Sequence, residues 1–81
     1  MFYRRKSVLE KKSLALSGHR TSLALESVFW RALSEIAREE NKSLARLIAE
    51  IDQTRSKSEV KSGLASAVRV WLFARYADIA A

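Results

Sequence analysis

Leucines alternate with small or polar side chains within residues 20–25, which read Arg-Thr-Ser-Leu-Ala-Leu. A period of two is typical of a strand with one buried face, so the pattern predicts one short strand here. The residues expected on the buried face are Thr21, Leu23 and Leu25. The residues expected on the outward face are Arg20, Ser22 and Ala24. A shift of one residue would exchange the two sets, so this assignment depends on the register.

A similar segment precedes this strand, because Ser-Leu-Ala-Leu at residues 13–16 is repeated at residues 22–25. Gly18 lies between the two copies and gives the backbone the freedom that a turn requires. The first copy is therefore either a second strand that folds back as a hairpin or an extended approach. The sequence leaves both alternatives open.

Three further segments have apolar residues at the three- and four-residue spacing of amphipathic helices. The first covers about residues 27–40, and Asn41 is suited to end it because asparagine tolerates positive φ. Ser43 is a suitable N-cap for the second helix, which ends near residue 55. The third covers about residues 64–77. It is apolar around most of its circumference, so we expect it to be buried on more than one side.

These elements predict one domain with flanking segments in a chain of 81 residues. The parts are a flexible basic arm at 1–12, a strand–helix–helix domain at 13–55, a polar linker at 56–63 and a C-terminal helix at 64–81. So short a chain buries little surface on its own, and it has no cysteine for disulfides. We therefore expect it to be stabilised by oligomerisation.

The positive charge is concentrated at the start of the chain. The whole chain has a net charge of +6, whereas residues 1–20 carry six basic side chains against Glu10 alone. Such a basic segment is attracted to polyanions such as nucleic acid. A solvated basic tail without a partner is the other reading of the same composition.

Several classes of function are not expected. One histidine and no cysteine make a metal site improbable by composition. The chain has no nucleophile–base–acid pattern and no glycine-rich phosphate loop, so we expect neither an enzyme nor a cofactor. The most apolar stretch, residues 64–74, is shorter than the roughly 20 residues of a membrane-spanning helix. We therefore expect no membrane partner.

The order of these features resembles the ribbon-helix-helix DNA-binding family over residues 18–52. The resemblance is carried by Leu-Glu-Ser-Val-Phe-Trp-Arg-Ala-Leu-Ser-Glu-Ile-Ala at residues 25–37, then Asn41-Lys42-Ser43 and Leu47-Ile48. With Gly-His-Arg-Thr-Ser at residues 18–22, the chain is also similar to a subgroup of short bacterial proteins within that family.

The resemblance implies a mainly α fold with one short strand, arranged as an intertwined homodimer. Each chain lends its strand to an intermolecular antiparallel ribbon that enters the DNA major groove, and the third helix is an addition to this fold. The shared dimer core would contain Thr21, Leu23, Leu25, Phe29, Trp30, Leu33, Ile36, Leu47, Ile48 and Ile51.

The resemblance also implies the DNA contacts. Base edges would be contacted by the outward strand residues Arg20, Ser22 and Ala24. Phosphates would be held at the turn before the second helix and by two residues near the strand. These are Asn41, Lys42, Ser43, Lys12 and His19.

Two hypotheses for function follow. The first is a homodimeric, sequence-specific DNA-binding protein that represses transcription in the cytoplasm and associates with the nucleoid. Whether the dimer forms a higher-order assembly on double-stranded DNA is left open by the sequence. The alternative is a dimeric scaffold, similar to an antitoxin, whose C-terminal helix binds a partner protein. The partner would contact Leu64, Val68, Trp71 and Phe73.

Overall fold

The computed structural model describes residues 8–57 and 63–77. Most of the proposed basic arm, the middle of the linker and the end of the C-terminal segment therefore lie outside the described residues. In chain order the elements are β1 (Leu9–Leu16), β2 (His19–Glu26), α1 (Ser27–Glu39), α2 (Leu44–Lys57) and α3 (Leu64–Ala77).

The two strands form an antiparallel hairpin that is paired along its whole length. Leu9 lies opposite Glu26 at the open end, and Leu16 lies opposite His19 beside the turn. The two turn residues both have positive φ, 52° at Ser17 and 84° at Gly18. This is the combination found in two-residue type I′ turns, whose twist matches that of the flanking strands.

The single strand per chain that the resemblance implied is wrong, because the chain has two strands and every residue of β2 has a partner in β1. Of the two alternatives for residues 13–16, the structure shows the hairpin. β1 also includes residues 9–12, which the sequence analysis assigned to the basic arm. These residues were assigned to the arm because exposed lysines are found both in amphipathic strands and in solvated arms. Lys11 and Lys12 are both exposed.

One face of the hairpin is apolar and buried. Leu23 and Leu25 lie on it, as the register predicted, and Leu14 and Leu16 of β1 lie beside them. Thr21 is half-buried on the same face. The helices cover this face, since α2 packs against β1 while α1 and α3 pack against β2.

The helices complete a single apolar core with these four leucines. The buried helix residues are Trp30, Leu33, Ile36 and Ala37 of α1, Leu47, Ile48 and Ile51 of α2, and Val68 and Leu72 of α3. Phe29 is half-buried and packs against the core. All of these residues lie in the core of one chain, and their assignment to a core shared by two chains stays a prediction.

Polar contacts fix α1 against the start of the hairpin. The backbone N–H of Ser27 donates to the carbonyl of Val8 at 2.9 Å. The indole Nε1–H of Trp30 donates to the carbonyl of Glu10, also at 2.9 Å. The ammonium of Lys12 lies 5.4 Å from the centre of the Trp30 ring, a favourable cation–π position.

The turn between α1 and α2 follows the predicted chemistry. Asn41 has a left-handed backbone with φ of 57°, which ends α1. The hydroxyl of Ser43 accepts from the backbone N–H of Arg46 at 3.0 Å and so caps α2. α2 continues to Lys57, so the first two residues of the predicted linker belong to this helix.

The third helix is buried along one side within the chain. Val68 and Leu72 face the core, whereas Val70, Phe73 and Tyr76 are each about two-thirds exposed. The second apolar side of this helix was expected to be buried against another subunit, and that stays a prediction. Val68 is also unavailable to a partner in this fold, because it is completely buried.

The left-handed turn provides a test of the hairpin. We expect Ser17→Asn to raise the free energy of unfolding by up to about 1 kcal/mol, because asparagine tolerates the left-handed region better than serine. Thermal unfolding at one fixed protein concentration measures this, at about 4–8 °C per kcal/mol for a domain of this size.

Ser13→Asn is the matched control, since Ser13 is an equally exposed serine in extended backbone of β1. Asparagine has a low preference for strands, so this change should not stabilise the protein. Equal effects at the two positions would show that the turn is not formed in solution.

Candidate nucleic-acid interface

The face of the hairpin opposite the core is open to solvent. Residues directly opposite each other in an antiparallel pair point to the same face. The register therefore places two adjacent rows of small and basic side chains on the outward face, one along each strand. The rows are centred on the pair Ser13 and Ser22. The rows are Lys11, Ser13 and Ala15 from β1, and Arg20, Ser22 and Ala24 from β2.

The outward face contains all three residues that the sequence analysis assigned to base contacts. Arg20 and Ser22 are exposed, and Ala24 is half-buried. Lys11 and Ser13, which were not predicted from the sequence, lie on the same face because β1 is the partner strand. The repeated Ser-Leu-Ala-Leu was the signal from which they could have been found.

The outward face carries positive charge that is not neutralised locally. Neither Lys11 nor Arg20 forms an ion pair with any residue that the structure describes. Glu26 ends the face, and its carboxylate accepts three hydrogen bonds from the Arg69 guanidinium, at 2.9, 3.1 and 3.2 Å. The central part of the face is therefore basic and polar.

Two residues predicted to contact phosphate lie on the other face of the hairpin. Lys12 is opposite Leu23, and His19 is opposite Leu16, so both share the side of the core leucines. Both are nevertheless exposed. They are therefore open to solvent without lying on the outward face of the ribbon.

The other three predicted phosphate contacts lie together at the start of α2. Asn41 and Ser43 are exposed there. A cleft lined by Ala15 and Ser17 of the hairpin and by Ser43 and Arg46 of α2 brings this turn next to the hairpin turn. The free backbone N–H groups at a helix start favour anions, so the cleft joins such a site to the end of the ribbon.

Lys42 is engaged by carboxylates of its own chain. Its ammonium lies 2.6 Å from Oε1 of Glu50 and 3.1 Å from Oε1 of Glu40. The hydrogen bond to Glu50, followed by that to Glu40, raises the pKa of Lys42 above its ordinary 10.5. Its charge is thus partly compensated, which leaves less of it available to a phosphate than the sequence analysis assumed.

The same contacts act on the carboxylates. Lys42 lowers the pKa of Glu50, with a smaller contribution from Arg46. Lys42 and then Arg75 lower the pKa of Glu40, and Arg75 lies 2.8 Å from its Oε2. These ion pairs connect the end of α1 and the start of α2 to α3.

The described residues show little else that would support other chemistry. Within residues 8–57 and 63–77, no group of three or more His, Asp or Glu side chains is arranged to hold a metal ion. None of the three described helices has both the length and the apolar character needed to cross a bilayer.

The order of elements and the exposed basic ribbon define the class of protein. A strand with an outward polar face leads directly into two helices joined by a capped turn, which is the order of elements in ribbon-helix-helix domains. The family model described as "Ribbon-helix-helix domain" matches residues 9–76, which is most of the chain and includes α3. The chain therefore belongs to the ribbon-helix-helix family.

Proteins of this family are typically non-enzymatic, generally bind DNA and form dimers, and act as transcription regulators or antitoxins. No curated protein and no solved structure matches the chain significantly. A function for this chain is therefore inferred from its family and from the geometry of the hairpin face.

The ion pairs predict how stability depends on pH. Because the pKa values of Glu40 and Glu50 are lowered in the folded state, the unfolded chain takes up protons first on acidification. The stability from these pairs is present above the ordinary carboxyl pKa of 4.5 and is lost as pH falls through the lowered folded values. We expect Lys42→Met to make this acid-induced loss shallower, measured by urea unfolding between about pH 5 and pH 2.

Lys57→Met is the control, because Lys57 is an exposed lysine at the far end of α2. It removes the same charge without touching Glu40 or Glu50. If both variants change the pH dependence equally, the ion pairs at Lys42 do not form in solution.

Proposed function

We propose that the protein is a homodimeric, sequence-specific DNA-binding protein that represses transcription by occupying a promoter. The observation that carries this proposal is the exposed, basic outward face of the hairpin in a chain of the ribbon-helix-helix family. A two-stranded antiparallel ribbon fits the major groove, where each base pair presents a distinct pattern of donors and acceptors. Association with the nucleoid would follow from this activity.

The side chains of β2 suit base recognition to different degrees. Arg20 can donate two hydrogen bonds to N7 and O6 of guanine. Ser22 can bond several bases, and Ala24 offers only apolar contact, for example with a thymine methyl group. Arg20 is therefore the residue on which sequence discrimination from β2 depends most.

Phosphate contacts would orient the ribbon in the groove without reading sequence. The start of α2, with Asn41 and Ser43, supplies backbone N–H groups and a positive helix end beside the hairpin turn. Lys12 and His19 are exposed on the other face of the hairpin and would contact phosphates from there. Lys42 contributes less, since its ammonium is held by Glu50 and Glu40.

The first test is Arg20→Ala. We expect it to weaken binding to a selected duplex by about 1–3 kcal/mol and to reduce the preference for one guanine, because a bidentate contact is lost. Binding is measured by fluorescence anisotropy at one fixed salt concentration, since affinity for DNA depends steeply on salt.

Arg31→Ala is the matched control, because Arg31 is an exposed arginine of α1 outside the hairpin. It removes the same charge and should leave the base preference unchanged. Unchanged affinity in Arg20→Ala would remove Arg20 from the interface.

Dimerisation has a candidate surface on the helices. A groove between α1 and α3 is lined almost wholly by apolar side chains, among them Val28, Phe29, Phe73 and Tyr76. Phe73 and Tyr76 are about two-thirds exposed. Exposed apolar groups of this size are typical of surfaces that another protein covers. We assign this groove to the second copy of the chain.

The second test is Phe73→Glu. We expect the chain to sediment as a dimer at micromolar concentration and this variant to sediment with a lower mass, because a charge would have to be buried. Val70→Glu is the matched control, since Val70 is equally exposed on α3 but does not line the groove. A dimer that persists in Phe73→Glu would show that the two copies meet elsewhere.

The alternative function is a scaffold similar to an antitoxin, in which α3 binds a different protein. The exposure of Phe73 favours it, and Leu64 and Trp71 are half-buried beside the core. Val68 is removed from the proposed contact set because it is completely buried. Selection of DNA sites from random duplexes separates the two functions, because only the first yields an enriched sequence.

A further inference from the structure

The two strands of the hairpin carry the same order of side chains on their outward face. β1 presents Lys11, Ser13 and Ala15 at alternate positions, and β2 presents Arg20, Ser22 and Ala24. In both strands a cation is followed by a serine and then an alanine. The repetition extends to the buried face, where Leu14 and Leu16 correspond to Leu23 and Leu25.

The register converts this repetition into symmetry. Ser13 lies opposite Ser22 at the centre, Lys11 opposite Ala24 on one side, and Arg20 opposite Ala15 on the other. Rotation by half a turn about an axis through the serine pair exchanges β1 with β2 and brings each cation onto the other. The hairpin of one chain therefore has approximate two-fold symmetry on the surface that faces outward.

We infer that the hairpin of a single chain reads a short inverted DNA sequence, with Lys11 and Ser13 contacting bases in one half and Arg20 and Ser22 in the other. This inference rests on the proposed DNA-binding function and adds two specificity-determining residues to it. Two antiparallel DNA strands are themselves related by a two-fold axis at the centre of an inverted sequence. A symmetric ribbon in the major groove meets equivalent base edges in the two halves.

The chemistry of the two cations fits equivalent roles. Both arginine and lysine select guanine through its O6 and N7 atoms. Lys11 and Arg20 each lie opposite an alanine, so the neighbouring side chain on the other strand is small. Neither cation forms an ion pair with a carboxylate among the described residues. Lysine is a compact point charge without the arginine fork, so the half read by Lys11 should show the weaker preference.

The distance between Lys11 and Arg20 along the hairpin determines the expected separation of the two guanines in the DNA site. The rows of Lys11 and Arg20 are four residues apart along the hairpin, which is roughly 14 Å at ~3.4 Å per residue. With ~3.4 Å between successive bases of one DNA strand, this corresponds to about four base-pair steps. The expected sequence thus has two guanines, one on each DNA strand, at about that separation.

The neighbouring lysine provides a matched control within the same strand. Lys12 follows Lys11 but lies on the other face, opposite Leu23 and against the Trp30 ring. Lys12→Ala removes the same charge as Lys11→Ala from almost the same place. Lys12→Ala should lower the affinity for all DNA sequences by the same factor, without altering the preferred bases.

The experiment is selection of sites from random duplexes with the full chain, compared for the unchanged protein, Lys11→Ala, Arg20→Ala and Lys12→Ala. Circular dichroism melting confirms that each variant folds. We expect an inverted sequence for the unchanged protein and for Lys12→Ala. In Lys11→Ala one half should lose its preference and in Arg20→Ala the other half, each by roughly tenfold or more in relative affinity.

Three results would overturn the inference. If Lys11→Ala keeps the full sequence while Arg20→Ala relaxes it, Lys11 does not read bases, although the proposed DNA-binding function stands. If each variant relaxes both halves together, the symmetry comes from two copies of the chain rather than from one hairpin. If the unchanged protein selects no sequence at all, the inference and the proposed function both fail.

Discussion

The burial of one face of the hairpin determines the rest of the structure. Four leucines, two from each strand, must leave water, and a strand has a side-chain period of two. Once they face the helices, the alternate positions are forced outward, and these carry Lys11 and Arg20. Because a shift of one residue would exchange the faces, the same apolar packing that stabilises the fold also decides which side chains can meet DNA.

The ion pairs complement this arrangement. Around the start of α2, the cations of Lys42 and Arg46 are opposed by Glu50, and Glu40 is shared between Lys42 and Arg75. Some of these ion pairs connect the end of α1 and the turn before α2 to α2 and α3. The outward face of the hairpin has cations without such partners among the described residues, so it can attract a polyanion.

The sequence predicted the helices better than the hairpin. Residues such as Leu33, Ile36, Leu47 and Ile48 repeat at helical spacing over several turns, and the buried side of each helix followed from that. Residues 9–12 of β1 were missed because Lys11 and Lys12 carry the same signal in a strand as in a solvated arm. Pairing between strands is a long-range property that one segment does not encode alone.

In the candidate site, too, local patterns were predicted from the sequence and long-range contacts were not. The facing of Arg20, Ser22 and Leu23 followed from alternation alone, and it is found in the structure. The engagement of Lys42 by Glu50 did not follow, because the two residues are eight positions apart and meet only when the turn at Asn41 brings α1 and α2 together. Side-chain contacts across a turn depend on its geometry, which composition does not give.

A hairpin that is complete within one chain changes what dimerisation contributes. In the arrangement that the family resemblance implied, two chains are needed before any ribbon exists, so binding and dimerisation are inseparable. Here β1 and β2 form the ribbon together, and the Ser17–Gly18 turn closes it locally. In the proposed dimer, a second copy would add a second ribbon at high effective concentration, which would raise affinity and extend the site without creating the reading surface. Under the proposed function, recognition within each half of a dimer would therefore be a property of the single chain, and dimerisation would set how many such elements are read at once.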